Sequence, residues 1–207
     1  IDSEPASRRN LVISELHYHP GEPSSPEELL ISSDRDDYEF IELLNTGSRN
    51  IDLTGVRFDS GVNFDFPDNT VLGPGDRLLL LRNRIAFEAR YGTLSGVQWF
   101  EYTGRLSNDG EALLLTGPSS QPIIDFTYND RLPWPTSADG EGSSLVLLNP
   151  DSDASMEDPS QWTISGNPGG TPGEESSPGL SYLTWSVGNN LQGGPQDDDD
   201  HDTISNF

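Results

Sequence analysis

The sharpest chemical pattern lies near the C-terminus, where Asp198, Asp200, Asp202 and Asn206 fit the spacing D-x-D-x-D-x-x-x-N. Calcium takes roughly six to eight hard oxygen ligands, and alternate positions of a tight loop point several carboxylates inward. Calcium is therefore the expected cofactor, with these four residues as its ligands. A solvated acidic run with diffuse cation affinity is the plainer reading of the same residues.

Other oxygen-rich sets are less ordered. Asp151, Asp153, Ser155 and Glu157 alternate along a loop, and Asp34, Asp36 and Asp37 precede an aromatic-rich run. Turns capped by short acidic side chains account for both more simply. His17 and His19 are two residues apart, so on an extended chain they face the same way and could hold a transition metal. With no third histidine nearby, His19-Pro20 is read as shaping a loop. Glu15, Glu39 and Glu42 fall within strand-like runs. Glu39, between Tyr38 and Phe40, could turn inward to backbone amides, but an outward glutamate is simpler. Paired carboxylates can perform glycosidase chemistry, yet among 35 acidic residues chance pairs are expected. There is no G-x-S-x-G nucleophile motif and no glycine-rich phosphate loop. The chain is read as a non-enzyme. Trp134, flanked by Pro133 and Pro135, is the candidate ligand-binding aromatic, able to stack on a sugar, although core packing is the commoner fate of such a ring.

Composition narrows the partners. The formal net charge is −24, and all 11 basic residues are arginine. Nucleic-acid binding needs basic side chains to displace condensed counterions, and no basic cluster exceeds Arg8-Arg9. Direct binding of nucleic acid or anionic membrane is not expected. Cysteine is absent, which removes disulfides and thiolate zinc sites but does not exclude export. No apolar run approaches the roughly 18 residues of a membrane helix; the longest is the leucine run at 78–81. The chain begins at Ile1 with no charged-then-apolar leader and reads as a processed or excised piece.

The elements that must position these residues are short. There are 21 glycines and 16 prolines, about 18% of the chain against about 12% in average usage. LVISEL at 11–16, DYEFIELLN at 37–45, RLLLLR at 77–82, VQWFEY at 97–102 and the pair within 111–128 read as strands. RLLLLR has leucine on both faces and should be central. The segment 17–36, with three prolines and many charges, reads as a long loop. RIAFEARY at 84–91 has the one convincing helical spacing, with Gly92 as its stop. One short helix against nine or ten short strands is an all-β sandwich.

The order of seven sequence words makes this more specific. LVISELHYHP, DYEFIELLN, IDLTGVRF, LGPGDRLLL, RLSNDGEALLL, WPTSADGEGSSLVLLNP and QWTISGNPGGTPG together resemble the lamin tail domain family. The resemblance implies an immunoglobulin-like β-sandwich with no shared catalytic residues. The long segment 17–36 and the Trp-Pro loop are similar to the family's bacterial exported branch, and no lamin rod heptads are present. Separately, the Asp198–Asn206 pattern resembles the start of an aspartate-rich calcium repeat of the thrombospondin type 3 or dockerin-like kind. In such loops Thr203 would stand at a position normally glycine, and an acidic residue beyond Asn206 would complete the shell. The expected organisation is a linker at 1–9, the domain at 10–173, a Pro/Gly/Ser linker and weakly ordered segment at 174–196, and a truncated acidic tail at 197–207. The expected function is a monomeric binding, adhesion or targeting module of a larger exported bacterial protein, secreted or at the cell surface. Its partner would be a protein or glycan surface ligand; a carbohydrate-binding accessory to a catalytic domain is the alternative.

Overall fold

The computed structural model describes residues 2–93, 95–151 and 153–175. Among them the elements run β1 (Ser3–Pro5), β2 (Leu11–His17), α1 (Pro26–Ile31), β3 (Phe40–Asn45), β4 (Asn50–Asp52), β5 (Arg57–Ser60), β6 (Val71–Leu72), β7 (Arg77–Leu81), α2 (Arg84–Tyr91), β8 (Gln98–Glu101), β9 (Glu111–Thr116), β10 (Pro122–Tyr128), β11 (Leu145–Leu147) and β12 (Trp162–Ile164). They form a six-stranded sheet, β12-β11-β2-β3-β7-β8, and two three-stranded sheets, β10-β9-β5 and β1-β4-β6. This is the expected all-β, immunoglobulin-like sandwich.

Alternation along the central strands builds two cores. Ile13 and Leu16 of β2, Ile41 and Leu43 of β3, and Leu78 and Leu80 of β7 join the main core, together with Phe58, Leu113, Leu115 and Phe126 from the opposite sheet. The intervening Phe40, Leu79 and Leu81 form a second cluster with Phe87 of α2. The leucine run at 78–81 is thus apolar on both faces because both are covered. β7 and β8 pair in parallel, which requires a crossover; α2 supplies it. Asn83 caps α2 by accepting from the Ile85 and Ala86 amides at 3.1 and 3.2 Å, and Gly92 ends it at φ +77°.

The pairing of β2 with β3 contains a register shift, between Ile13 and Glu15 of β2. Ser14 is the extra residue, so Glu15 returns to the face opposite Ile13.

Two expectations are corrected. Residues 3–5 are not linker: β1 pairs in parallel with β4, and Ala6 beside it is buried. The segment 17–36 is not all loop, because it contains α1. A capping box starts that helix. Ser25 accepts from the Glu28 amide at 3.1 Å, and Glu28 accepts from the Ser25 amide at 2.9 Å, with Pro26 in the first turn. Apolar periodicity could not announce α1, since its Leu29, Leu30 and Ile31 are exposed and its buried member is Glu28. Glu28 pairs with Arg90 of α2, and the Arg90 guanidinium lies 3.9 Å from the Tyr38 ring centroid.

Candidate functional site

The metal ligands expected from the sequence, Asp198, Asp200, Asp202 and Asn206, lie outside the described residues. Within those residues no group of three histidine, aspartate or glutamate side chains converges to hold a metal. The other acidic sets do local work. Asp34 accepts from the Asp36 amide at 3.1 Å, while Asp36 and Asp37 pair with Arg105 and Arg82. Asp158 accepts from the Ser160 amide at 2.9 Å, and Glu157 from the Thr127 amide at 2.8 Å.

Trp134, the expected ligand contact, is only 5% exposed. Its ring packs against Phe126 and Trp162, with centroids 6.4 and 6.0 Å away. It is a core residue, not an exposed sugar platform. The peptide bond before Pro133 is cis.

The two histidines part company. His19 meets Asp139 through Nδ1 at 2.5 Å and Arg35 through Nε2 at 3.0 Å, so it ties the segment after β2 to the Trp-Pro loop. His17 is fully buried on the outer face of the six-stranded sheet, edge-on to Phe40 and 3.3 Å from the Tyr91 hydroxyl. Burial, helped by the charge of Arg90, lowers its pKa to about 3.

On that face lie two buried glutamates, Glu15 and Glu42; Glu39, for which an outward position is the simpler sequence reading, is buried on the opposite side with Tyr102 and Leu106 of the main core. Glu15 and Glu42 are cross-strand partners, and both are 0% exposed. Glu42 accepts from Ser14 Oγ at 2.6 Å, Arg77 Nε at 3.1 Å and the Gly173 amide at 2.7 Å. Glu15 accepts from Ser144 Oγ at 2.5 Å, the Thr171 amide at 2.9 Å and Thr171 Oγ1 at 3.1 Å. The segment 169–173 is therefore a strap held down by two carboxylates. Gly170 permits this approach: at φ +84°, a Cβ there would stand 2.0 Å from Glu15 Oε1. Burial raises the Glu42 pKa to about 7, with Glu15 adding to the rise. Glu39, also 0% exposed, accepts from Tyr102 Oη at 2.7 Å and the Leu106 amide at 3.0 Å. Burial raises its pKa to about 8. Glu39 and Glu42 have displaced acidities, but each is sealed from solvent and accepts from backbone and side-chain donors, Glu39 through Oε2 alone.

The open concavity lies elsewhere. A groove of about 1070 Å³ runs past β10 and the end of β11, with Val12, Ile123, Leu147 and Met156 among its apolar lining and Arg8, Arg9, Asp125 and Asp153 among its charges. The sequence carried one signal for it, the adjacent arginine pair Arg8-Arg9 in an acidic chain.

The layering of these sheets defines the class of the domain, an immunoglobulin-like β-sandwich. The lamin tail domain family model matches residues 4–130, and the chain belongs to the lamin tail domain family. Domains of this family are immunoglobulin-like, often act in protein interaction and are typically non-catalytic. A search of curated proteins finds no match. Among the described residues no helix is long and apolar enough to cross a membrane.

Proposed function

We propose that this lamin tail domain is a non-enzymatic protein-interaction module of a larger exported bacterial protein, secreted or held at the cell surface. One contrast carries the reading. His17, Glu39 and Glu42, three acid–base groups with displaced acidity, are 0% exposed, whereas the open groove presents arginines and apolar side chains. A catalytic acid or base must reach its substrate; a binding surface needs exposed complementary groups. The bacterial exported assignment rests on the long segment 17–36 and the Trp-Pro loop. The reading is tested by panning the full chain against a random twelve-residue peptide library beside a glycan array. Convergent peptides with a silent array are expected. Convergent glycans without peptides would overturn it in favour of a carbohydrate-binding accessory.

Calcium binding by Asp198, Asp200, Asp202 and Asn206 is a separate part of the proposal, supported by their spacing. Calorimetric titration with calcium should give heat that Asp200→Ala with Asp202→Ala abolishes. No heat from the unaltered chain would end that part.

A further inference from the structure

We propose that the groove beside β10 docks an extended peptide segment of a partner protein by strand addition, with an acidic residue of that segment facing Arg8 and Arg9. This rests on the interaction-module reading and assigns its surface and ligand chemistry.

The first argument is the sheet edge. β10 ends its sheet and pairs with β9 on one side only. The Thr127 amide points off the free edge, where Glu157 captures it at 2.8 Å. In an antiparallel ladder the amides alternate sides, so the amide of Asp125, two residues earlier, points off the same edge. Glu157 thus blunts the second half of the edge. The first half opens into the groove, where Pro122 has no amide and a register shift precedes Ile124, so Asp125 is the donor that remains for an incoming strand. Native sheets usually cover or charge an exposed edge; one left beside an apolar trough has the form used in strand addition, where backbone pairing gives affinity and pockets select alternate side chains.

The second argument is the trough itself. Val12, Ile123 and Leu147 line it with little surface of their own exposed, at 7%, 2% and 8%. They form a floor for an apolar side chain rather than a protruding patch.

The third argument is charge. Eight arginines, Arg35, Arg57, Arg77, Arg82, Arg84, Arg90, Arg105 and Arg131, pair with carboxylates. Arg8, Arg9 and Arg49 are exposed and have no carboxylate partner among the described residues, and of these Arg8 and Arg9 are adjacent and line the groove, although the chain carries 35 acidic residues. An unpaired cation pair on an acidic molecule suits an incoming carboxylate. Asp125 and Asp153 share the lining, so a uniformly acidic segment is disfavoured. The fitting chemistry is alternating apolar side chains with one acidic residue.

The test uses the full isotope-labelled chain and two blocked peptides, TVTIEV and its charge-reversed form TVTIKV, followed by amide chemical shifts up to about 1 mM, the weak end of the affinity range. Saturating shifts at Arg8, Arg9 and Ile123–Asp125 are expected with TVTIEV, and binding about tenfold weaker with TVTIKV. Arg8→Glu with Arg9→Glu should invert that preference. Asp125→Pro, which deletes the edge amide, should abolish binding while the melting temperature holds. Silent amides along Ile123–Asp125, equal response to both peptides, or displacement of the peptide by a heparin tetrasaccharide would overturn the proposal. If panned peptides bind the Arg8→Glu, Arg9→Glu chain unchanged, the groove assignment fails and the module reading stands. If panning yields no peptide, the module reading itself fails.

Discussion

The two faces of the six-stranded sheet solve the same problem in different ways. The inner face buries Ile13, Leu16, Ile41, Leu43, Leu78 and Leu80 against the opposite sheet. The outer face buries Phe40, Leu79 and Leu81 beside Glu15, His17 and Glu42, under α2 and the 169–173 strap. Burial of apolar area is indifferent to pH. Burial of ionisable groups ties stability to protonation, because each displaced pKa is a free-energy difference between folded and unfolded chains. The strap crosses the outer face because carboxylates there accept its amides; a leucine face could hold it only by contact.

The largest break in this comparison is Leu43→Ala on the inner face. It should cost about 4 kcal/mol through lost transfer energy and the cavity left behind. Urea unfolding should give the same loss at pH 5 and pH 8.

Next comes the pH dependence of the unaltered protein. Glu39 and Glu42 have folded pKa values raised to about 8 and about 7. Their contribution is complete below the unfolded glutamate range and is lost as pH rises through those values. His17, lowered to about 3, acts in the opposite sense. Its contribution is complete above the unfolded histidine pKa of about 6.5 and is lost as pH falls toward 3. Two glutamates outweigh one histidine, so stability should fall by on the order of 3 kcal/mol from pH 5 to pH 8. Glu39→Gln with Glu42→Gln should reverse that slope, leaving the rise contributed by His17. A melting temperature that rises from pH 5 to pH 8 in the unaltered chain would refute the balance.

Gly170→Ala aims at the strap alone and should cost about 2 kcal/mol from its strained φ and displaced Glu15 contacts. Hydrogen exchange should then accelerate at the Thr171 and Gly173 amides while the inner-face strands stay protected. Leu30→Ser touches neither face, since Leu30 is 85% exposed. It should change stability by no more than about 0.5 kcal/mol.

Residue patterns made much of the frame legible. The i,i+4 pairs of 84–91 and the stop at Gly92 located α2 at Arg84–Tyr91. The doubled leucine faces of 77–82 placed β7 inside its sheet. α1 was hidden because its capping box stands in a proline-rich, charged stretch and its helix buries a glutamate rather than an apolar stripe. β1 was hidden because three polar residues carry no alternation, and their pairing with β4 is decided by a partner some 45 residues away. The groove was nearly invisible: its wall combines the loop before β2, the start of β10 and the turn after β11, which no local pattern joins.

The sequence by itself determined the sandwich and the family, through the order of its strand words, and it determined which residues share a strand face, through the period of two. It set Glu42 opposite Leu43, but the same period set Glu15 on the face of Ile13; the bulge at Ser14 moved Glu15 across to join Glu42. Only the tertiary structure decided that their face is covered rather than wet. That outcome depends on α2 and the strap folding back over the sheet. Alternation specifies a side chain's direction, and distant chain segments set the dielectric it meets there.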